Sequence, residues 1–279
     1  MNSGIMVAPN GARLKYNEHK KIPLVIEQIV KTAKRSEKAG AQAIHLHVRD
    51  NNLDHVLDVK RYKETIKAIR KVCKKDFIIQ STTEAVGKYS PQDIYSLIKE
   101  LKPQASSVAI KELIPSVDNI RELKLAKDFY KFAVDKNIGI QHILYSPEDL
   151  KKFHDLLQKG IINGEKHSVL FVLGRYSKGQ QSNASDLIPY LQTLKELKLG
   201  NIVNWMVCAF GQKEISSLVA ASILGGHCRI GFENSRETPY GEKAKNNESQ
   251  VKFLRKELRS LDIQKVDNIK MREILGIFK

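Results

Sequence analysis

The sequence predicts a single (β/α)8 barrel, the TIM-barrel fold, that spans residues 1–279 as one domain. Eight short apolar runs alternate with helical patterns along the chain, as successive βα units do. A length of 279 residues suits one such barrel. The segment Ala8 to Ala12, which follows the first apolar run, lacks the G-x-G-x-x-G spacing of a dinucleotide-binding open sheet. That open sheet is the alternative α/β fold.

The predicted strands are short and apolar, which is typical of parallel strands that are buried on both faces. Turn-forming residues follow some of them, such as Pro9-Asn10-Gly11 after the first strand and Gly174 after the sixth. In chain order the strands cover residues 5–8, 41–50, 77–82, 106–110, 138–144, 168–173, 202–209 and 228–232.

Each strand is followed by a segment whose apolar spacing indicates a helix with one buried face. Gly40 ends the first helix, and Gly225-Gly226 ends the seventh. Pro91 and Pro147 stand in the first turn of the third and fifth helices, where proline is tolerated. The helices cover residues 23–39, 62–72, 91–101, 120–134, 147–157, 187–197, 215–224 and 248–260, and one more helix follows over 267–275.

The composition indicates a globular protein of the cytoplasm. Hydrophobic residues make up 42% of the chain and charged residues 28%, which leaves enough apolar material for a large core. The three cysteines, Cys73, Cys208 and Cys228, have no paired spacing, so we expect a reducing compartment and no disulfide framework. No apolar run approaches the roughly 20 residues that span a bilayer. The N-terminus lacks the pattern of a secretory signal, and we expect no membrane partner.

The formal net charge of +16, from 47 Lys and Arg against 31 Asp and Glu, raises the question of nucleic acid binding. The lysines are spread through helical segments such as 60–75 and 124–136, with few aromatic residues between them. This pattern favours solvated helix faces over a nucleic-acid surface. A subset of the lysines would instead attract an anionic substrate or a phosphate-bearing cofactor.

Two histidines at alternate positions, His45 and His47, lie in the second strand. Residues i and i+2 of a strand point to the same face, so the two imidazoles lie side by side while Ile44, Leu46 and Val48 pack on the other face. Such a pair is either half of a divalent metal site that needs a third ligand, or two histidines that alternate by chance.

Glu233, just after the eighth strand, is a candidate third ligand. In a closed barrel the eighth and second strands both flank the first, so their backbones are roughly 10 Å apart. Two His and one carboxylate leave positions open for a substrate, as catalytic metal sites do. The alternative is that Glu233 pairs with Arg229 or Arg236. Catalytic groups lie at the C-terminal ends of barrel strands, and the other strand ends offer Arg13, Ser81, Thr82, Glu84, Ser107, Lys111, Glu112, Gln141, Tyr145 and Arg175.

Four motifs, taken together and in order, resemble the β-keto acid cleavage enzyme family, which has a member in lysine fermentation. They cover nearly the whole chain, and each alone is weak. The motifs are His45-Leu46-His47-Val48-Arg49, Ser81-Thr82 with Ala85-Val86-Gly87, Phe171-Val172-Leu173-Gly174, and the segment from Gly225 to Glu233.

The resemblance implies a (β/α)8 barrel with bound zinc. It also implies that the chain is a transferase that exchanges a β-keto acid with acetyl-CoA and gives acetoacetate and a new acyl-CoA. The metal ligands would be His45, His47 and Glu233. From the resemblance and the strand ends together, we predict the catalytic residues Arg229, Asn234 and Glu84, and the substrate-binding residues Ser81, Thr82, Ser107 and Arg13. The family also implies a homo-oligomer, either a dimer or a tetramer.

The sequence departs from the family pattern at several positions around this site. Asn234 stands where Asp is typical, and an amide cannot act as a general base. Arg13 replaces a Glu, Thr83-Glu84 replaces paired glycines, Ala109 replaces an Asn, and Ile143 replaces a carboxylate. We therefore expect that recognition of an amine is lost and that Arg13 and Lys111 favour an acidic substrate.

These departures leave alternatives to the cleavage reaction. One is another metal-dependent aldolase, hydrolase or enolising enzyme that acts on a keto acid. Another is a barrel that binds metal and ligand without turnover. If cleavage takes place, Glu84 or Glu112 could replace Asn234 as the base, since both follow neighbouring strand ends.

Overall fold

The computed structural model describes residues 1–278 and shows the predicted closed barrel of eight parallel strands. All eight strands are buried along nearly their whole length, which explains their apolar composition. They are β1 Ile5–Val7, β2 Ala43–Leu46, β3 Ile78–Thr82, β4 Ala105–Ala109, β5 Gly139–Leu144, β6 His167–Leu173, β7 Val203–Ala209 and β8 His227–Ile230.

A helix follows each strand and packs its apolar stripe on the outside of the barrel. Side chains cap several helix starts: Asp58 accepts from the amide of Arg61, and Ser146 accepts from that of Asp149. The long helices are α1 Ile26–Ala39, α2 Val59–Val72, α3 Pro91–Leu101, α4 Ile120–Asp135, α5 Pro147–Gln158, α6 Ile188–Glu196, α7 Glu214–Ile223, α8 Asn247–Ser260 and α9 Asn268–Ile274. A single helical turn, Ile110–Leu113, also follows β4 directly.

The predicted boundaries hold within a few residues, with two notable corrections. The second strand is shorter than predicted, because its end, Val48–Arg49, leaves the barrel and pairs antiparallel with His55–Val56. The eighth strand ends at Ile230, before Phe232, because Gly231 turns the chain with a φ of +143°.

The barrel closes in the order β7-β8-β1-β2, so β8 and β2 both flank β1, as predicted. Met6 of β1 pairs with Arg229 on one side and with Ala43 on the other. This register brings the ends of β2 and β8 to the same edge of the barrel, where a ligand from each can meet.

Apolar side chains form two layers, one between the barrel and the helices and one inside the barrel. The inside layer continues into the C-terminal segment, where Met271, Ile274, Leu275 and Ile277 close the end at which the strands begin. Polar groups therefore gather at the opposite end. None of the helices within residues 1–278 has the length and apolarity needed to cross a membrane.

Candidate functional site

His45 and His47 lie at the C-terminal end of β2 and face the inside of the barrel. Their neighbours Ile44, Leu46 and Val48 pack in the outer apolar layer, as the strand alternation predicted. Both imidazoles are almost completely buried. Their Nε2 atoms are 3.1 Å apart, and their rings meet edge to face. The two lone pairs can therefore be directed at one point.

Glu233 reaches the same point from the turn after β8. Gly231 makes this turn possible, since a Cβ at that position would lie 2.4 Å from the carbonyl oxygen of Ala8. The amide of Glu233 donates to the same carbonyl at 3.1 Å, which ties the turn to the end of β1. The side chain of Glu233 thus points across β1 toward β2.

The three donor atoms form a compact cluster that fits a divalent metal ion. The Oε2 atom of Glu233 is 3.7 Å from Nε2 of His45 and 3.4 Å from Nε2 of His47. Ligands that surround one zinc ion tetrahedrally lie roughly 3.3–3.6 Å apart. Oε2 of Glu233 is buried and has no hydrogen-bond partner within residues 1–278. A buried carboxylate oxygen in that state is costly unless a cation is present.

The charge states of these three side chains also suit a metal ion. Burial lowers the pKa of His45 to about 4 and that of His47 well below its ordinary value, so both are neutral at pH 7. Burial alone would raise the pKa of Glu233, but Arg229 and the two histidines hold it well below its usual range. Neutral imidazoles and an ionised carboxylate are the forms that coordinate metals.

A chain of buried hydrogen bonds orients His45. Its Nδ1–H donates to Oε1 of Gln80 at 2.8 Å, and Nε2 of Gln80 donates to Oε1 of Gln141 at 3.1 Å. Gln141 then donates to Oγ of Ser168 at 3.2 Å, and Ser168 donates to the carbonyl of Ile274 in the barrel floor. Because each amide is fixed by the next group, His45 keeps its Nδ1–H tautomer and presents the Nε2 lone pair.

Arg229 lies below Glu233 inside the barrel and is buried. Its Nη2 donates to Oε1 of Glu233 at 3.1 Å and contacts Sγ of Cys208 at 3.3 Å. Both pairings suggested for Glu233 are therefore present at once: Oε1 meets the arginine and Oε2 faces the histidines. Arg229 holds the carboxylate in place and adds positive charge beside it.

A pocket opens above the three candidate ligands. Its apolar wall contains Ile143, Tyr145, Val172 and Phe210, and its polar wall carries both acids and arginines. The polar residues on this wall are Arg13, His45, Thr82, Glu84, Glu112, Arg175, Gln180, Arg229, Glu233 and Arg236. Such a mixture suits a small organic acid with an aliphatic part.

Glu84 lies in this pocket and is the predicted residue with the most suitable charge state for proton transfer. Burial, together with repulsion from Glu233 and Glu112, raises its pKa to about 7. Arg13 approaches it at 3.9 Å. Glu112 also lines the pocket, and its Oε2 accepts from the amide of Ala85 at 3.1 Å. Both acids that were considered as replacements for Asn234 are thus within the pocket.

Of the four predicted substrate-binding residues, two line the pocket, one faces the inside of the barrel and one points to the outer layer. Thr82 and Arg13 line the pocket. Ser107 faces inward between Ala105 and Ala109, and its buried Oγ has no partner within residues 1–278.

Ser81 is the predicted substrate-binding residue that the structure does not bring to the pocket. It points to the outer layer, where its Oγ donates to Oγ of Ser106 at 3.2 Å. Gln80 and Thr82, on either side of it, face inward instead.

Asn234 is close to the site in sequence but does not line the pocket. It is 2% exposed, and neither polar atom of its side chain has a hydrogen-bond partner among the described residues.

Lys111 also does not line the pocket. Its ammonium group lies 4.1 Å from the ring centre of Tyr145 and 4.5 Å from that of Tyr176. Ile143 does line the pocket, so an apolar side chain stands where the family resemblance implied a carboxylate.

Gln80 is the functional side chain that sequence reasoning missed. A signal for it exists, since a glutamine inside an apolar strand and two residues before Thr82 must share the inward face of that threonine. Arg49 enters the sequence analysis only as the last residue of the motif that begins at His45. It donates to the carbonyls of Gly11 and Ala12, and so it holds the loop that carries Arg13 over the pocket.

Comparison with known proteins identifies the family of this chain. A family model described as beta-keto acid cleavage enzyme matches residues 4–277. The chain is 25% identical over 280 residues to a 3-keto-5-aminohexanoate cleavage enzyme of Fusobacterium nucleatum, covering 99% of this chain and 98% of the relative. It is 25% identical over 236 residues to a 3-oxoadipate:acetyl-CoA acetyltransferase of Cupriavidus necator, covering 83% of this chain and 79% of the relative.

Among solved structures, apo ObcA superposes with a TM-score of 0.71 and 15% identity. The match covers 92% of this chain and 66% of ObcA, and at this identity it supports the fold alone. The family match extends over nearly the whole barrel and includes His45, His47 and Glu233, whose donor atoms the structure brings together. This chain therefore belongs to the β-keto acid cleavage enzyme family.

Proposed function

We propose that this chain transfers the acyl part of a β-keto acid to coenzyme A, with acetyl-CoA as co-substrate and acetoacetate as the second product. The observation that carries the proposal is the cluster of His45, His47 and Glu233 at the base of a pocket lined by arginines and two acids. The three side chains would hold a divalent metal ion, and we propose zinc because two imidazoles and one carboxylate are a ligand set it prefers.

The bound ion would supply Lewis acidity toward the keto and carboxylate oxygens of the substrate. The side chains of the protein provide binding and orientation. Arg229 fixes Glu233 through its Nη2 contact, and Gln80 fixes the ring of His45. Arg13 and Arg175 bring positive charge to the pocket wall, where they can attract the acid group of a substrate.

Proton transfer at the substrate would fall to Glu84. A pKa of about 7 leaves its carboxylate partly populated at neutral pH while keeping it basic enough to accept a proton. Glu112 raises that pKa by repulsion, and Arg13 lowers it. Asn234 cannot accept a proton and does not line the pocket, so we assign the role of base to a strand-end acid rather than to position 234, where the family resemblance implied an Asp.

The substrate class follows from the pocket wall. The F. nucleatum relative is named for a substrate with an amino group, and the C. necator relative for a dicarboxylate. Arg13 on the polar wall and Ile143 on the apolar wall place a positive and an apolar side chain where the family resemblance implied acids that could pair with an amine. We propose a β-keto acid that carries either a second acid group or an apolar tail.

A panel of β-keto acids with acidic, apolar and amine-bearing tails tests this function, with acetyl-CoA present and acetoacetate as the readout. We expect acetoacetate with acidic or apolar tails and much slower release with the amine. If no acetoacetate forms from any member while the metal is bound, the cleavage reaction is excluded. The next reactions to assay would then be aldol cleavage and hydrolysis of the same keto acids.

A further inference from the structure

A histidine outside the metal cluster joins two loops at the mouth of the pocket. His19 lies in the loop between β1 and α1. Its Nδ1 accepts from the amide of Lys21 at 3.1 Å, and its Nε2–H donates to the carbonyl of Ala244 at 2.9 Å. Ala244 belongs to the loop between β8 and α8. The imidazole therefore connects the loops that follow β1 and β8.

A small apolar cluster supports this connection. Ile22, Leu24, Phe232 and Ala244 are buried against one another, and the ring of His19 lies 4.4 Å from that of Phe232. This cluster is separate from the barrel core. The two loops thus form one packed unit.

The unit is strongly basic on its outside. Residues 13–21 and 236–245 together contain seven basic and three acidic side chains. Lys20, Lys21, Lys243 and Lys245 are exposed, and none of them forms an ion pair with another residue in the range 1–278. Burial, with the charges of Lys243, Lys21 and Arg236, lowers the pKa of His19, so its ring stays neutral.

The basic unit is continuous with the pocket. Arg236 lines the pocket, and its carbonyl accepts from the amide of Ala244, the residue that His19 holds. Arg13, in the other loop, lines the pocket as well. A long ligand could therefore extend from the metal cluster past Arg13 and Arg236. Outside the pocket it would meet Lys21 and Lys243 on the same two loops.

We propose that these two loops, which His19 joins, form the subsite for the phosphorylated nucleotide end of coenzyme A, with Lys21 and Lys243 as its main cations. The inference rests on the acetyl-CoA reaction proposed above and names where that co-substrate binds. Coenzyme A carries a pyrophosphate and a 3′-phosphate far from its thiol. Unpaired lysines beside the pocket mouth match that arrangement, since they lose no internal ion pair when phosphate arrives.

A double variant, Lys21→Gln with Lys243→Gln, tests the subsite without touching the pocket wall. The matched control is Lys67→Gln with Lys71→Gln, two exposed lysines of α2 whose positions are toward the opposite end of the barrel. Two assays are compared at low and moderate salt. One is binding of 3′,5′-ADP by calorimetry, and the other is turnover with acetyl-CoA against acetyl-pantetheine, which lacks the nucleotide.

In the Lys21/Lys243 variant we expect 3′,5′-ADP affinity to fall about tenfold and KM for acetyl-CoA to rise by a similar factor, with kcat unchanged. Kinetics with acetyl-pantetheine should not change, and the salt dependence of KM should weaken. The control pair should match the wild type. Equal 3′,5′-ADP binding by both variants and the wild type, or no binding at all, overturns the subsite.

The binding assay separates the subsite from the reaction. If 3′,5′-ADP binds in a Lys21- and Lys243-dependent way but no keto acid is cleaved, the subsite stands and the proposed reaction fails. If inorganic phosphate competes with 3′,5′-ADP at equal concentration, the loops are a general phosphate site and the nucleotide assignment is wrong.

Discussion

At the scale of single residues, the candidate metal site depends on three side chains whose donor atoms have no better partner. Burial keeps His45 and His47 neutral, and Arg229 keeps Glu233 ionised. The ionised carboxylate is the costly member of the three, because its Oε2 atom is buried without a hydrogen-bond partner among the described residues. The arrangement therefore fits the divalent cation proposed above.

Replacing both histidines, His45→Ala with His47→Ala, should remove bound metal while the barrel stays folded. The two rings line the interior at one end, away from the apolar floor. Elemental analysis of the purified protein measures the metal, and circular dichroism measures the fold. His154→Ala, which removes a partly exposed imidazole from α5, is the control and should keep full metal content. Full occupancy in the double variant would contradict the ligand assignment.

Gln80→Leu should weaken metal binding by about 10–100-fold, because His45 loses the acceptor that fixes its tautomer. Gln80→Glu keeps an acceptor at this place and should retain most of the affinity. Competition with a chromophoric chelator measures both. If Gln80→Leu binds metal as tightly as the wild type, the hydrogen-bond chain has no positioning role.

Glu84→Gln should lower turnover on the order of 10²–10⁴-fold, the usual contribution of a general base. In the wild type the rate should rise with pH through about 7, since burial and the neighbouring acids raise the pKa of Glu84 to that value and the carboxylate is the active form. This rising limb should vanish in Glu84→Gln. Asn234→Asp should change turnover little. A large gain in that variant would instead make position 234 the site of the base.

At the scale of elements, the candidate metal site is made by the end of β2 and by the turn that follows β8, next to the end of β1. Gly231 has a φ of +143°, and its Cα lies against the carbonyl of Ala8. The turn ends the strand early and aims Glu233 across β1. The backbone conformation of Gly231 thus decides whether Glu233 can reach the two histidines.

Gly231→Ala should destabilise the protein by about 1–3 kcal/mol, because the added Cβ meets backbone and the φ value is strained for alanine. Metal affinity should fall as well, since Glu233 moves with the turn. Urea unfolding and metal competition measure the two effects. Gly200→Ala, where a Cβ meets open space, should leave both unchanged. Equal stability of the two variants would show that the turn tolerates a side chain.

At the scale of the whole molecule, the barrel has one apolar end and one polar end. The C-terminal segment with α9 closes the first, and its Ile274 carbonyl also receives the last hydrogen bond of the chain that begins at His45. The floor therefore contributes both to stability and to the position of the site.

Ile274→Ala should lower the free energy of unfolding by about 2–5 kcal/mol, as for other fully buried isoleucines. Ile269→Ala, on the same helix but 72% exposed, should change it by less than about 0.5 kcal/mol. Urea denaturation monitored by circular dichroism gives both values. Similar values for the two variants would mean that α9 does not seal the barrel.

Much of this architecture was predictable from the sequence, because it depends on local patterns. Eight apolar runs, proline at helix starts and the His45-x-His47 alternation each indicate a structure within a few residues. The order of barrel strands then follows from chain order, and it brings β8 beside β1 and β2. Glu233 could be joined to the histidines for that reason alone.

The tertiary structure decided which face each strand residue presents. Every residue of β3 is buried, and its last three residues are all polar. The spacing therefore shows that Gln80 and Thr82 share a face, but not which face lies inside the barrel. A shift of one residue exchanges the two faces, and this is why Ser81 was assigned to the site while Gln80 was missed. The charge state of Glu84 and the loop contact made by His19 likewise arise from groups distant in sequence, whose distances only the folded chain determines.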